Sequence, residues 1–437
     1  ITRINIWQLV HNGGFKIMSK VYRFISTCLG IILILSGCVN TPKDGTIYLK
    51  DAMDLINVLE STHPAFDLGD ISEDYELEKQ RFINSIDSNT SRDDFIMLVR
   101  RYLTVLQDGH TNVRGNADPL FLDLNCRAVG EDLFLTDENG SITGIRVTHI
   151  GGVPVSTIFS TVQQYHVAEN EAGRDMNNST WTLNYEILQL AGCDVTQSSA
   201  EVTLEEDRKV SAQDVRFVNK DVNSKYHYLH EISSEMIEDI FYIDMNTCDV
   251  NDTLEKQIGA LKDVLDKGTT KVIVDVRDNP GGDSMACTML LEAMDMKEPD
   301  YGVYIRYSKL AHKKYKYLPK SGFMQHDPDR TTARRNENID LVVLTNENTY
   351  SSATMLAVFV KDGGLGTVIG TPSSNAPSSY GDILYYTLPK SRIEVSISYK
   401  RFLRPDAEAD PRIVMPDICA EYGEDILARA VEYLNSR

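Results

Sequence analysis

Apolar residues recur at three- and four-residue steps through Phe95, Leu98, Val99, Tyr102, Leu103 and Leu106, and the run opens on Ser91 with Asp94 three positions on. That spacing predicts an amphipathic helix closed at its start by a capping box. Its stop is placed at Asp108-Gly109, where a glycine takes the left-handed conformation without steric cost. It is the clearest of three helical stretches that follow a short polar tether. From about 116 to 220 the pattern shortens to alternating or apolar runs (133–135, 145–147, 202–204), which predicts a mainly β segment with some helix near 155–190. From 239 onward strand alternates with helix. Strands are predicted at 240–243, 271–276, 341–344 and 367–369, helices at 252–266, 283–296, 352–362 and 424–435, and a hairpin over 383–400. That alternation predicts a layered α/β core with largely parallel pairing. No internal repeat is present, and no stretch after residue 38 is apolar enough to span a bilayer.

One apolar run remains, 24–35, behind Lys20 and Arg23 and ending in Leu35-Ser36-Gly37-Cys38. It is short for a membrane span and reads as a signal peptide, and its end resembles the bacterial lipobox, in which the cysteine after the cut carries lipid. Residues 1–17 precede Met18 and read as an upstream extension of the reading frame. The expected location is therefore extracytoplasmic, tethered to a bacterial membrane through lipid on Cys38. Charge changes this picture in two ways. With 44 Lys plus Arg against 64 Asp plus Glu, a net −20, the chain is a poor partner for nucleic acid. Residues 1–37 hold four basic groups and no acid, so the remainder is more negative still. An anionic membrane would repel it, which leaves the lipid as the tether. Cysteines at 28, 38, 126, 193, 248, 287 and 419 show no CxxC spacing, so neither a disulfide framework nor a zinc site is predicted.

Two strand-to-helix junctions are candidates for chemistry. The strand at 271–276 runs through Arg277-Asp278-Asn279-Pro280 into Gly281-Gly282, where backbone N–H groups can be exposed at a helix start. This is either an oxyanion hole or a plain turn. The strand at 341–344 leads through Thr349-Tyr350 into Ser351-Ser352-Ala353 and an apolar helix. Ser351 is either a nucleophile presented at the sheet edge or a helix cap. His110, directly after the Asp108-Gly109 stop, is the candidate base.

Taken in order, Asp108-Gly109-His110-Thr111, the VDVRDNPGG run 274–282, the TYSSA run 349–353 and Met415-Pro416-Asp417-Ile418 resemble the tail-specific, or C-terminal processing, serine peptidases, including the tricorn core protease and its relatives. The resemblance runs from about residue 49 to the end. It implies a crotonase-like α/β core over 223–437, an N-terminal helical subdomain over 47–115 and an inserted mainly β subdomain over 116–222, behind a signal at 1–37 and a tether at 38–46. Many relatives carry a peptide-binding PDZ module at the insert, echoed here only by Gly152-Val153-Pro154-Val155. The resemblance further implies Ser351 as nucleophile with Ser352 as fallback, His110 as base, and oxyanion donors from Gly281, Gly282 and Ser352. It places an orienting acid a few residues before the final Pro-Asp-Ile, which selects Asp410, beside Glu408 and Asp406.

The sequence departs from the better-known branch, where a lysine about 25 residues after the serine is the base. The interval 370–382, GTPSSNAPSSYGD, has no lysine. The hydroxyls of 372–382 are expected either to bind an extended peptide or to satisfy turn backbones. The basic, tyrosine-rich stretch 306–320 is expected to be an exposed face or flap. The expected activity is peptide-bond hydrolysis through an acyl-enzyme, with a peptide or protein substrate and no metal or organic cofactor. A silent peptide- or ligand-binding lipoprotein on the same fold is the alternative, raised by Thr354, which stands where many active relatives carry glutamate. The sequence sets no oligomeric state.

Overall fold

The computed structural model describes residues 46–114, 119–138, 140–219 and 231–437. The expected signal peptide, the tether up to residue 45 and Cys38 lie outside the described residues, as do parts of the expected subdomain junctions. The helical segment comprises α1 (Thr46–Thr62), α2 (Ala65–Leu68), α3 (Tyr75–Asn84) and α4 (Arg92–Leu103). The capping box is present: Ser91 Oγ accepts the Asp94 N–H and the Asp94 side chain accepts the Ser91 N–H. The helix stop differs from expectation, because Gln107, at φ 49°, is the left-handed residue and Gly109 has no positive φ. Gly109 is needed for space instead: a Cβ there would collide with the Tyr350 hydroxyl and lie 3.2 Å from Glu169 Oε1.

A short strand β1 (Asn112–Val113) leads into an antiparallel segment built from β2 (Leu120–Leu122), β3 (Cys126–Val129), β4 (Asp132–Thr136), β5 (Ile142–Ile150), β6 (Val153–Pro154), helices α5 (Val155–Tyr165), α6 (Glu171–Trp181) and α7 (Tyr185–Leu190), β7 (Ser199–Glu206) and β8 (Lys209–Asn219). Its sheet runs β2-β8-β7-β5-β4-β3, with β6 on β5.

The remaining chain forms β9 (Ser233–Ile237), β10 (Ile240–Asp244), α8 (Asp252–Leu265), β11 (Lys271–Asp275), α9 (Met285–Ala293), β12 (Gly302–Arg306), α10 (Lys309–Lys314), β13 (Phe323–His326), β14 (Asp340–Thr345), α11 (Ser352–Gly363), β15 (Thr367–Gly370), β16 (Tyr380–Thr387), β17 (Glu394–Leu403), β18 (Ile418–Cys419) and α12 (Ile426–Asn435). A six-stranded sheet runs β18-β15-β14-β11-β10-β9, parallel throughout except for β9. Because strand side chains alternate between faces, Val272, Val274, Leu341 and Val343 pack with residues of α8, α9 and α11. Ile273, Val342 and Leu344 pack with Ile426, Ala430 and Leu434 of α12. This accounts for the unbroken apolar runs of β11 and β14, which are buried on both faces. The expected hairpin is β16 and β17, and it belongs to a separate sheet, β1-β17-β12-β13 with β16 on β17. Residues Lys43–Arg437 form one compact unit. Among the described residues Cys193, Cys248, Cys287 and Cys419 are free thiols.

Candidate active site

Strands β11 and β14 are parallel neighbours, with Asp275 opposite Leu344, so the turns that leave their carboxyl ends lie side by side. Ligand sites in open α/β sheets form at this end of the strands. The two turns are stitched together. Thr349 Oγ1 donates to the Val276 carbonyl at 2.8 Å, Tyr350 N–H to the Asn279 carbonyl at 2.9 Å, and Asn346 and Asn348 side-chain amides to Asp278 at 2.9 and 2.7 Å.

Ser351 stands where the second turn meets α11, at φ 52° and ψ −123°, and its side chain makes no capping hydrogen bond. Ser351 thus holds the N-cap position of α11 without its hydroxyl capping the helix. A non-glycine residue held at such a φ costs about 1–3 kcal/mol, and the Ser351 N–H is satisfied by Asn375 Oδ1 at 2.8 Å. Gly281, at φ 97°, faces it so closely that a Cβ would lie 2.6 Å from Ser351 Cβ and 2.9 Å from the Ser352 nitrogen. Of the expected oxyanion donors, Gly281 is engaged, because its N–H donates to Asn279 Oδ1 at 2.8 Å. Among the described residues the Gly282 and Ser352 N–H groups have no such partner, and the Gly282 carbonyl accepts Ser352 Oγ at 2.8 Å. Ser352 is thereby a scaffold residue in its side chain and an available donor in its backbone, at the first turn of a helix whose leading N–H groups are free.

His110 and Ser351 line one open cleft, together with Thr354, Tyr380, Gly381 and Phe402. Neither His110 ring nitrogen is hydrogen-bonded. Its Nδ1 lies 3.7 Å from Asp108 Oδ1, an ion-pair distance rather than a hydrogen bond. Burial alone would lower the His110 pKa, but the charge of Asp108, backed by Glu169 and Asp382, outweighs it and holds the imidazole above its usual value. Asp108 is wholly buried. Burial would raise its pKa, but the neighbouring His110 imidazole and the His63 N–H keep it well below the usual carboxylate range.

The carboxylate beside His110 is thus Asp108. Asp410 is exposed, its carboxylate accepting the Arg412 N–H and its carbonyl accepting Arg404. Counting along the chain selected it, whereas Asp108 sits two residues from His110, where the helix stop fixes both. Asp108 is itself fixed by His63, whose Nε2 lies 3.0 Å from Asp108 Oδ2 with both side chains fully buried. His63 Nδ1 accepts the Ala65 N–H at 3.3 Å, so Nε2 carries the proton and donates.

Two further residues were not foreseen. Glu169 Oε1 accepts the Gly109 N–H, and its Oε2 accepts the Asn375 side-chain amide and the Ala376 N–H. Asp108, His110 and Glu169 offer ligand atoms within 4.8 Å of one another. All four of the carboxylate oxygens already accept fixed N–H groups, so a cation there would have to displace them. In the loop 372–382, Ser373 and Ser378 hydroxyls serve backbone groups, while Ser379 faces the cleft. Within 306–320, Arg306 pairs with Asp67 at 2.7 Å and Lys314 donates to the Ile383 carbonyl, so this stretch is partly structural. Thr354 Oγ1 donates to the Thr349 carbonyl.

A serine bound in a strained turn between free amides, in a cleft with an imidazole and a buried carboxylate, defines the class of serine hydrolases. Residues 239–419, which carry Ser351 and the Gly281-Gly282 turn, match the family model for peptidase family S41. The fold of the chain is similar to solved structures of mature CPAF (TM-score 0.60, 13% identity, covering 90% of this chain and 96% of that one) and of mature CPAF complexed with lactacystin (0.59, 13%, 90% and 97%). It also matches the photosystem II D1 C-terminal processing protease (0.44, 13%, 87% and 94%). No curated protein sequence matches the chain.

Proposed function

We propose that the chain hydrolyses peptide bonds of extracytoplasmic proteins or peptides through an acyl-enzyme, with Ser351 as nucleophile, His110 as base and Asp108 as the orienting acid. The observation that carries this reading is the conformation of Ser351, uncapped and at φ 52° in the cleft that His110 also lines. His110 Nε2 takes the Ser351 hydroxyl proton as Oγ bonds to the scissile carbonyl carbon, and the resulting oxyanion faces the Gly282 and Ser352 N–H groups. Collapse breaks the C–N bond while the imidazolium returns the proton to the leaving amine. Water then repeats the sequence against the ester and frees the carboxylate and Ser351. Asp108 keeps the imidazole oriented and supports its positive charge. The signal at 1–37 and the lipobox cysteine extend the proposal to a chain tethered by lipid on Cys38.

The test is covalent labelling of the full chain with a fluorophosphonate probe. Wild type is expected to label, Ser351→Ala to lose all label, His110→Ala to lose most of it, and Ser352→Ala to keep it in reduced yield. Folded wild type that takes no label would return the chain to the silent binding alternative. Metabolic incorporation of a labelled fatty acid, lost in Cys38→Ala, tests the tether separately.

A further inference from the structure

Glu169 lies between α5 and α6, 70 positions before the stretch that matches the peptidase family model. One of its oxygens accepts the Gly109 N–H at 3.0 Å, inside the Asp108-Gly109-His110 segment that carries the base. The other accepts the Ala376 N–H at 2.8 Å and Asn375 Nδ2 at 2.6 Å. Asn375 passes the connection on, because its Oδ1 accepts the Ser351 N–H at 2.8 Å. The orientation of the Asn375 amide is unambiguous: a backbone N–H can only donate to the oxygen, and a carboxylate can only accept from the nitrogen. A single carboxylate therefore joins the base-bearing turn to the strained amide of the nucleophile. Packing is equally tight at the first joint, since any Cβ on Gly109 would meet both Tyr350 and Glu169.

We propose that Glu169 and Asn375 are a positioning pair, holding Ser351 in its reactive backbone conformation and fixing it relative to His110. The inference rests on the proposed peptidase mechanism and adds to it two residues that act through their neighbours, Glu169 behind the cleft and Asn375 in its wall. It depends on acceptor chemistry as well as on volume. Glutamine at 169 keeps the shape but has one acceptor oxygen for the two sides, so whichever way it turns its N–H₂ group meets a donor, either the Gly109 N–H or the Asn375 amide and Ala376 N–H. Aspartate at 375 keeps the acceptor for Ser351 but sets a carboxylate against a carboxylate. Combining the two changes restores a donor facing an acceptor between 169 and 375.

The experiment measures kinact and KI for a fluorophosphonate probe on the full chain, with melting temperature as a fold control. Glu169→Gln, Asn375→Ala and Asn375→Asp are each expected to lower kinact about 30-fold or more with KI within threefold. The Glu169→Gln/Asn375→Asp double variant is expected to recover at least fivefold over Asn375→Asp. Asn375→Ala leaves both backbone bonds to Glu169 in place, so it reports even where a change at 169 prevents folding. Folded Glu169→Gln and Asn375→Ala proteins with kinact within threefold of wild type would overturn the pair while leaving the peptidase reading intact. A double variant no faster than Asn375→Asp would overturn the acceptor argument. Wild type without label would overturn the peptidase reading and the pair together.

Discussion

At the scale of single residues, the proposed base, His110, is the group whose chemistry the surroundings set most directly. His110 must be neutral to take a proton, and the net charge around it raises its pKa above the ordinary value near 6.5. Activity is therefore low where the imidazole is protonated and climbs as pH rises through that elevated pKa. The labelling rate against pH is expected to show this single acid limb, and Asp108→Asn is expected to move its midpoint downward while lowering the plateau at least tenfold. A midpoint that stays put would remove Asp108 as the partner. His63 extends the argument by one contact. His63→Gln keeps an N–H near Asp108 Oδ2, whereas His63→Leu removes it, so glutamine is expected to retain several times the labelling rate of leucine at equal melting temperature. Ser351 and His110, which line one cleft, could be picked out in the sequence because each is announced by its neighbours, a TYSSA turn and a DGHT segment. Glu169, Asn375 and His63 were not. Their contacts join residues 206, 24 and 45 positions apart, and no local pattern marks a side chain whose partner is brought to it by the fold.

At the scale of elements, the decisive object is the pair of turns after β11 and β14. Gly281 is required there on two counts, a φ of 97° and a Cβ position already occupied by Ser351. Gly281→Ala is expected to destabilise the fold by about 2 kcal/mol or more, since an alanine at positive φ is strained even where space exists, and to abolish labelling. A calorimetric melt beside a labelling assay checks both, and an alanine variant that melts and labels like wild type would show that the turn tolerates separation. By contrast, Ser91→Ala at the capping box of α4 is expected to cost about 1 kcal/mol while leaving the labelling rate unchanged. Both features were readable in advance because they are local. The Asn-Pro-Gly-Gly turn and the Ser91/Asp94 box are written within a few residues. The grouping of β16 and β17 with β1, β12 and β13 in a separate sheet was not readable, because the hairpin looks the same whichever sheet receives it.

At the scale of the whole molecule, the family match covers Ser351, Gly282 and Ser352, the proposed nucleophile and oxyanion donors, and leaves out His110, Asp108, His63 and Glu169. The core has the same character. Leu388, Ile393, Val395 and Ile397, on and around β17, are buried against Leu55, Leu59, Phe95 and Leu103 of α1 and α4. Strand β1 pairs with β17 through Asn112 opposite Ser396. Removing residues before 231 would therefore uncover a continuous apolar face, open a sheet edge and delete His110, the proposed base, at once. The expectation is that a 231–437 fragment shows no cooperative melt, aggregates, and takes no fluorophosphonate, although it contains Ser351, Gly282 and Ser352. Adding the 46–219 segment as a separate chain is expected to restore part of the labelling, since burial of that apolar face favours reassembly. A 231–437 fragment that melts cooperatively would show that the hairpin needs no helical partner. One that also labels at the wild-type rate would show that Ser351 is activated without His110, and the proton-transfer argument would fall with it.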